Sequence, residues 1–535
     1  KLVEVTPENP EDVEVTPSKT GLRFTLHAEE AGSYPVRVTL ADDVSEVSGT
    51  ARVILVAPEE AQVETTPATV FLRPSEDVTV DVLPTVSNPA GHVLMVADLE
   101  YEADGESELS VNVLGQRYIH ATGDTATGEP GKLGSATYQI SDGSGNAKAK
   151  ATGTITFMLL PEVDQNPPIA SDRWVTVNAG SQVDFPVIDW AVAPAGSQIA
   201  LDAGSVVNDQ EEGLAFGTST LVRYLAPTEP GEYSVGYTIY RLGDPSLQST
   251  ARLRIEVVEP DAEAKPHPTT LEGRVLAGRE TSITPDYTQA SMRGGAFRLS
   301  SIPEQPAKGT AALSADGQTI TYTAFPDQSG QDQFKYEVVN SVGQKATATV
   351  KVGILDAQAP PTPVTFSDYV QMSVGSDSEV AIYPTSNDED PLGEGLQLVD
   401  VVPNAPEGTS EYQELRQRIQ SFDEETGEVR LLAGSSLGTS SFIYTAKGPR
   451  GDTATGLIVT KVVRERVPDL PVVSDTALTA ETLANLPGGV DVLDGRVRWH
   501  TGDASNLKLA MWDPALGYEA QGTSIKGPIP DKYTI

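Results

Sequence analysis

A chain of 535 residues is too long for one hydrophobic core, and with 39% hydrophobic and 21% charged residues it reads as several globular domains rather than a disordered polymer. A formal charge of −39, from 37 basic against 76 acidic residues, leaves no basic footprint and excludes nucleic acid and anionic lipid as partners. The absence of cysteine excludes disulfides, thiolate metal sites and thiol nucleophiles, so the domains must hold together by packing alone. No window approaches the roughly 18 consecutive apolar residues of a membrane span, and KLVEVTPENPEDVEV at the start is not a signal peptide. The opening residue is Lys1, which reads as a window from a longer chain.

In chain order, a weaker copy, YPVRVTLADDVSEVSGTARVILVA from Tyr34, is followed by four segments that read alike: ATYQISDGSGNAKAKATGTITFML from Ala136, VGYTIYRLGDPSLQSTARLRIEVV from Val235, FKYEVVNSVGQKATATVKVGIL from Phe334 and FIYTAKGPRGDTATGLIVTKVV from Phe442. Each is a strand, a turn and a second alternating strand. Tyr138, Tyr237, Tyr336 and Tyr444 align at spacings of 99, 99 and 108 residues, with Val38 in the slot of the first copy. Proline-bearing junctions follow at Ala57, Leu160, Glu259, Asp356 and Arg466. They divide the chain into a partial unit 1–58, full units 59–161, 162–260, 261–356 and 357–466, and a partial unit 467–535, the chain being expected to continue at both ends. Proline fixes φ and donates no hydrogen bond, so the junctions read as stiff linkers and predict a rod.

Within each full unit about seven strand-like runs alternate with turn signals and no βαβ pattern intervenes, which predicts an antiparallel β-sandwich. Val183, Phe185 and Val187 alternate, as do Leu253, Ile255 and Val257, so one face of each strand is core. The fold class is therefore all-β, a tandem array of sandwiches. One exception stands out: SEYQELRQRIQSF, with Tyr412, Leu415, Ile419 and Phe422 on one face and Ser410 with Gln413 as a capping box, predicts a short helix inserted at about 410–422. Its apolar face is expected to cover its own sandwich.

The stretch TITYTAFPDQSGQDQFKYEVVNSVGQKATATVKV from Thr319 resembles the C-terminal half of bacterial Ig-like, cadherin-like repeats, with their F-x-Y strand, glycine hairpin and Thr/Val strand. VGSDSEVAIYPTSNDEDPLGEGLQLVDV from Val374 resembles the matching N-terminal half, and NPPIASDRWVTVNAGSQVDFPVIDW from Asn166 resembles the opening strand. The resemblance implies Ig-like sandwiches of an extracellular, repetitive bacterial surface protein, adhesive or stalk-like, and identifies no ligand.

The loop SNDEDPLGEG from Ser386 offers Asn387, Asp388 and Asp390 as hard oxygen donors at the close spacing calcium prefers, and a calcium ion there would be the only cofactor expected. The same residues also favour an ordinary solvated turn, and the equivalent loops SNPAGHVL, VAPAGSQI and YTQASMRGG lack these donors. Gly434, Ser436 and Gly438 fit G-x-S-x-G, but a strand rather than a helix follows, so no nucleophile elbow and no enzyme is expected. His27, His92, His120, His267 and His500 are scattered without zinc spacing, and Trp174, Trp190, Trp499 and Trp512 read as packing residues before sugar platforms. A lysine–asparagine crosslink has no identifiable buried lysine.

These features point to the stalk or adhesive shaft of a secreted or cell-surface bacterial protein, presenting a distal binding region. Its partners would be a protein or glycan on a cell surface, or further copies of itself. The alternatives are an extracellular filament or phage-type appendage built by self-association, and a set of carbohydrate-binding modules.

Overall fold

The computed structural model describes residues 2–11, 13–17, 24–41, 46–57, 60–74, 76–161, 166–210, 212–218, 220–242, 244–260, 265–292, 295–314, 317–340, 342–356, 363–375, 378–390, 395–464, 466–467, 470–473, 476, 478, 482–494, 496–499, 506–509 and 517–529. In the second unit seven principal strands run Ala68–Leu72, Asp77–Asp81, Met95–Ala103, Glu108–Leu114, Tyr118–Asp124, Gly131–Ser141 and Lys150–Leu159. They form one sheet in the order third, sixth, seventh, first and another in the order fourth, fifth, second. The first strand runs parallel to the seventh, whereas the pairs inside the sheets are otherwise antiparallel. A parallel pair cannot be closed by a hairpin, and here the whole sandwich serves as the connection. The third, fourth and fifth units repeat this order, each with a four-stranded and a three-stranded sheet and a parallel first–seventh pair.

Alternation in the sequence explains the packing. Ile155, Phe157 and Leu159 point inward from one strand while their neighbours face out, and each of the four units closes around its own apolar cluster. Tyr138, Tyr237, Tyr336 and Tyr444 all lie on the sixth strand of their units and are no more than 2% exposed. A buried phenol needs a hydrogen-bond partner. Tyr237 donates to the carbonyl of Ser171 at 2.7 Å, Tyr336 to that of Thr269 at 2.6 Å and Tyr444 toward that of Phe366 at 3.0 Å, tying the sixth strands of the third, fourth and fifth units to the segments that enter them.

Facing Tyr444 on the seventh strand is Gly456, where an added Cβ would lie 2.4 Å from the ring. Gly456→Ala will therefore destabilise the fifth unit by about 1–3 kcal/mol through overpacking. Faster hydrogen exchange along Gly438–Lys447 and Thr453–Val463 will report it, and unchanged exchange there would refute it.

The helix of the fifth unit is shorter than its periodicity suggests, spanning Ser410–Arg418 with Thr409, not Ser410, as its cap. Ile419–Phe422 instead forms a strand that pairs with Val429–Leu432, because Ile419 reaches the core better from a sheet edge. Leu415 and Ile419 join the fifth unit's own core. A second helix, Tyr287–Met292 in the fourth unit, packs on the third unit's strands Arg173–Asn178 and Gln182–Phe185, and Met292 enters that unit's core.

Near one end, Leu2–Pro7, Gly32–Ala41 and Glu46–Leu55 form a three-stranded sheet beside the hairpin Glu14–Pro17 with Phe24–His27. Near the other, Val490–Asp491, Ser524–Lys526 and Glu519–Gln521 pair in the order seen for second, fifth and fourth strands of a full unit.

The full units do not lie end to end as the rod expectation requires. The second touches the third, fourth and fifth at once. Proline stiffens a junction but sets no direction between the bodies it joins, so complementary surfaces decide the arrangement.

Candidate functional site

The acidic loop of the fifth unit is the natural starting point. Asp388 Oδ1 accepts from the Phe366 amide at 2.9 Å and from the Tyr444 hydroxyl at 2.7 Å, so this carboxylate anchors the opening segment of its own sandwich. Asp390 Oδ2 accepts from the Gly395 amide at 2.9 Å, and Asn387 hydrogen-bonds to Asp368. The three candidate donors thus serve different partners. Among the described residues no group of three or more His, Asp or Glu is arranged to hold a metal ion.

Asp388 leads instead to a polar cluster where three units meet. From the second unit come Arg73, Glu76 and Asp77, at the turn between its first two strands, and His120 from its fifth strand. All four are under 8% exposed. The third unit contributes Arg241, whose Nη2 stands 3.6 Å from Glu76 Oε1, Ser197, which accepts from Arg73 Nε at 3.0 Å, and Gln198, whose amide donates to both the carbonyl and carboxylate of Asp77. The fifth contributes Phe366, whose ring centroid is 4.7 Å from that of His120, with Asp368 and Tyr369. His120 Nδ1 shares a hydrogen with Thr79 at 2.9 Å, and its Nε2 faces Asp77 at 3.7 Å.

Burial dominates the electrostatics. Desolvation, reinforced by the negative charges of Asp388 and Asp77, pushes Asp368 up to about 9. Desolvation raises Asp388 to about 7 against the stabilising donors Phe366 and Tyr444. Glu76 also rises to about 7, desolvation outweighing Arg241 and Arg73. Burial works in the opposite direction on His120, lowering it despite Asp77. Beside the cluster a cleft of about 500 Å³ between the third and fifth units is lined by Tyr240, Asp368, Tyr369 and Lys461 among others.

A second face of the same unit grips the fourth. Gln331 acts like an extra strand residue: its Oε1 accepts from the Val93 amide at 2.7 Å, and its Nε2 donates to the carbonyls of Val93 and Asp142 at 2.9 and 2.8 Å. Arg274 Nε donates to Leu94 at 2.8 Å, and Lys351 Nζ to Gly91 at 3.1 Å. Close backbone approach needs glycine here, since a Cβ on Gly143 would lie 2.2 Å from the Ile354 carbonyl.

The remaining sequence candidates fall elsewhere. Ser436 is exposed just before the strand Gly438–Lys447, so the G-x-S-x-G run has no helix behind it. His92 pairs with Asp142 at 2.8 Å, while His27 and His267 are exposed. Trp190 packs against Phe185 and beneath Arg173, whereas Trp174 is 56% exposed under Arg254. His500 and Trp512 lie outside the described residues. The interdomain residues Gln331, Arg274, Glu76 and Asp368 carried no motif, and nothing in local spacing marks them.

Residues 260–353 match the bacterial Ig domain family. No curated protein sequence matches the chain. Among solved structures, the extracellular domain of protocadherin GammaB4 is 13% identical over 97% of this chain and 89% of its own, with a TM-score of 0.16. Sidekick-1 immunoglobulin domains 1–4 are 10% identical over 76% and 99%, with a TM-score of 0.22, and Drosophila N-cadherin EC1-4 is 13% identical over 75% and 100%, with a TM-score of 0.19. The chain is a tandem array of Ig-like sandwiches, and its stretch 260–353 resembles the bacterial Ig domain.

Proposed function

We propose that this array is a non-catalytic structural and adhesive element of a secreted or cell-surface bacterial protein, working through the surfaces its sandwiches present. The observation that supports this most directly is the repetition itself: four sandwiches of one topology, each with a closed apolar core, hold their polar side chains in contacts between units. Such surfaces suit a protein or glycan partner. The gathered arrangement makes the array a thick, short shaft. Calcium at Asn387, Asp388 and Asp390 belongs to this reading as an added brace, since Asp388 Oδ2 is buried without a hydrogen-bond partner.

Self-association is the second reading, and a specific feature favours it. Leu40 and Val47 lie exposed side by side on one face of the three-stranded sheet near one end, and Val3 and Ile54 are exposed on the same sheet, apolar positions against which another copy could pair. Sedimentation velocity on the purified chain across a hundredfold concentration range separates the two. A constant monomer supports the shaft, and growth into open-ended species supports the filament. Binding of the monomer to bacterial or host cell surfaces, abolished by competing soluble chain, supports adhesion, and its absence on every surface tried removes the adhesive role.

A further inference from the structure

We propose that the outer face of the third unit's four-stranded sheet is a binding site for an uncharged glycan, with Trp174 as the plate on which a sugar ring stacks. The proposal rests on the adhesive reading of the array and names the chemistry of its partner. Trp174 is 56% exposed, and strand register sets a row of residues beside it across the sheet. Trp174 pairs with Arg254, Arg254 with Ser234, and the Asp209 amide donates to the Ser234 carbonyl at 3.0 Å. Four strands spaced ~4.8 Å apart give this row a length of about 14 Å, which suits a short oligosaccharide better than a single sugar. The Arg254 guanidinium lies 5.0 Å from the Trp174 ring centroid and orients the indole before a ligand arrives. Beside the row, Gly236 pairs with Arg252, and a Cβ added to Gly236 would meet nothing within 4 Å, so the face is open there.

The fourth unit shows what the same face carries when it docks protein. Counted from the shared sixth-strand tyrosines, Glu272, Arg274, Gln331 and Lys351 occupy the positions of Trp174, Thr176, Glu232 and Arg254. There Arg274, Gln331 and Lys351 donate to backbone carbonyls of the second unit. In the third unit Thr176, whose hydroxyl donates to Glu256, and Glu232 stand in place of two of those three donors, and an indole stands where the fourth unit has a carboxylate. The grip on a protein backbone is therefore lost and an aromatic plate gained. Asp209 accepts from Arg252 Nη1 at 2.7 Å and from the Ser234 hydroxyl, which fixes a carboxylate and a guanidinium side by side on the open face. Adjacent hydroxyls of a sugar each donate and accept, so they match such mixed pairs, while the C–H face of a pyranose ring covers an indole. Asp172, Asp209, Glu232 and Glu256 outnumber Arg252 and Arg254 on this face, so glycans bearing carboxylate or sulfate groups are repelled.

The test applies the full chain to a printed array of neutral glucose, galactose and N-acetylglucosamine oligosaccharides, with sialylated and sulfated glycans beside them. Calorimetric titration with the neutral oligosaccharide that binds best then compares the wild type with Trp174→Ala and Trp174→Phe, and circular dichroism confirms that both variants keep their strands. The expected result is binding of neutral glycans in preference to acidic ones, weakened roughly tenfold or more by alanine, on the scale of a lost aromatic stack, and less by phenylalanine. Preference for an acidic glycan, or neutral binding that Trp174→Ala leaves unchanged, overturns the site. Cell-surface binding that persists in Trp174→Ala while no neutral oligosaccharide binds overturns the site and leaves the adhesive reading standing. Glycan binding at Trp174 with no binding to any cell surface does the reverse. Cell binding that Trp174→Ala abolishes but periodate oxidation of the surface sugars does not would assign the face to a protein partner and overturn the glycan site.

Discussion

Replacing Asp332 with alanine will lower the stability of the fourth unit by about 3–4 kcal/mol, a loss expected when a buried charged acceptor with several donors is removed. Asp332 is 8% exposed, and its carboxylate takes four donors: the amides of Ala307, Lys308 and Gln333 and the hydroxyl of Tyr322, at 2.7–3.1 Å. Alanine leaves the phenol of Tyr322, which is fully buried and stacked on Phe334, without that partner. The loop at 307–308 would lose its hold on the sixth strand. Hydrogen exchange resolved by peptide will show the change as faster opening across Gly309–Leu313, Ile320–Ala324 and Gly330–Val339, with the third unit's strands much less affected. Equal exchange in the variant would show that the carboxylate is dispensable.

Arg418→Ala will have an effect of similar size, about 3 kcal/mol, on the fifth unit. Its guanidinium ends the helix beneath the sheet, donating to the Leu432 carbonyl, Ser440 Oγ and Thr460 Oγ1 at 2.9, 2.9 and 3.0 Å, and lies over the Phe442 ring at 5.4 Å. Burial lowers its pKa, and Glu414 partly offsets this. The planar fork fits these three acceptors together, so Arg418→Lys should rescue only a minor part of the loss. Urea titration followed by exchange at Ile419–Phe422 and Val429–Leu432 measures both variants, and full rescue by lysine would show that charge alone matters.

Much of the architecture was legible in the sequence because it is written in local pattern. Alternation marked the inward faces, and Tyr138, Tyr237, Tyr336 and Tyr444 marked equivalent points on the sixth strands. The helix at Ser410–Arg418 was visible from its apolar spacing, although the strand that begins at Ile419 was not, since the same apolar residues serve either element. Tyr287–Met292 was hidden for a related reason: six residues are too few to display a period, and the partner that stabilises the helix lies in another unit. Spacing alone did not show what Asp388 touches, since the chain folds back so that its Oδ1 receives the Phe366 amide and the Tyr444 hydroxyl from distant positions.

The contacts between units were illegible for a deeper reason. Gln331 meets Val93 and Asp142 across 238 and 189 residues of chain, and no composition or period relates those positions. The expectation of a rod failed because it was drawn from the junctions, whereas the surfaces of the second unit set the arrangement.

That arrangement is the central claim, and the radius of gyration of the monomeric chain at pH 6.5, from small-angle scattering, tests it most directly. Three sandwiches gathered around the second unit predict a value nearer the ~24 Å of a compact body of this length than twice that figure, with a single maximum in the distance distribution. A distribution with a long linear tail and repeated maxima at the spacing of one sandwich would mean units strung end to end, and would contradict it.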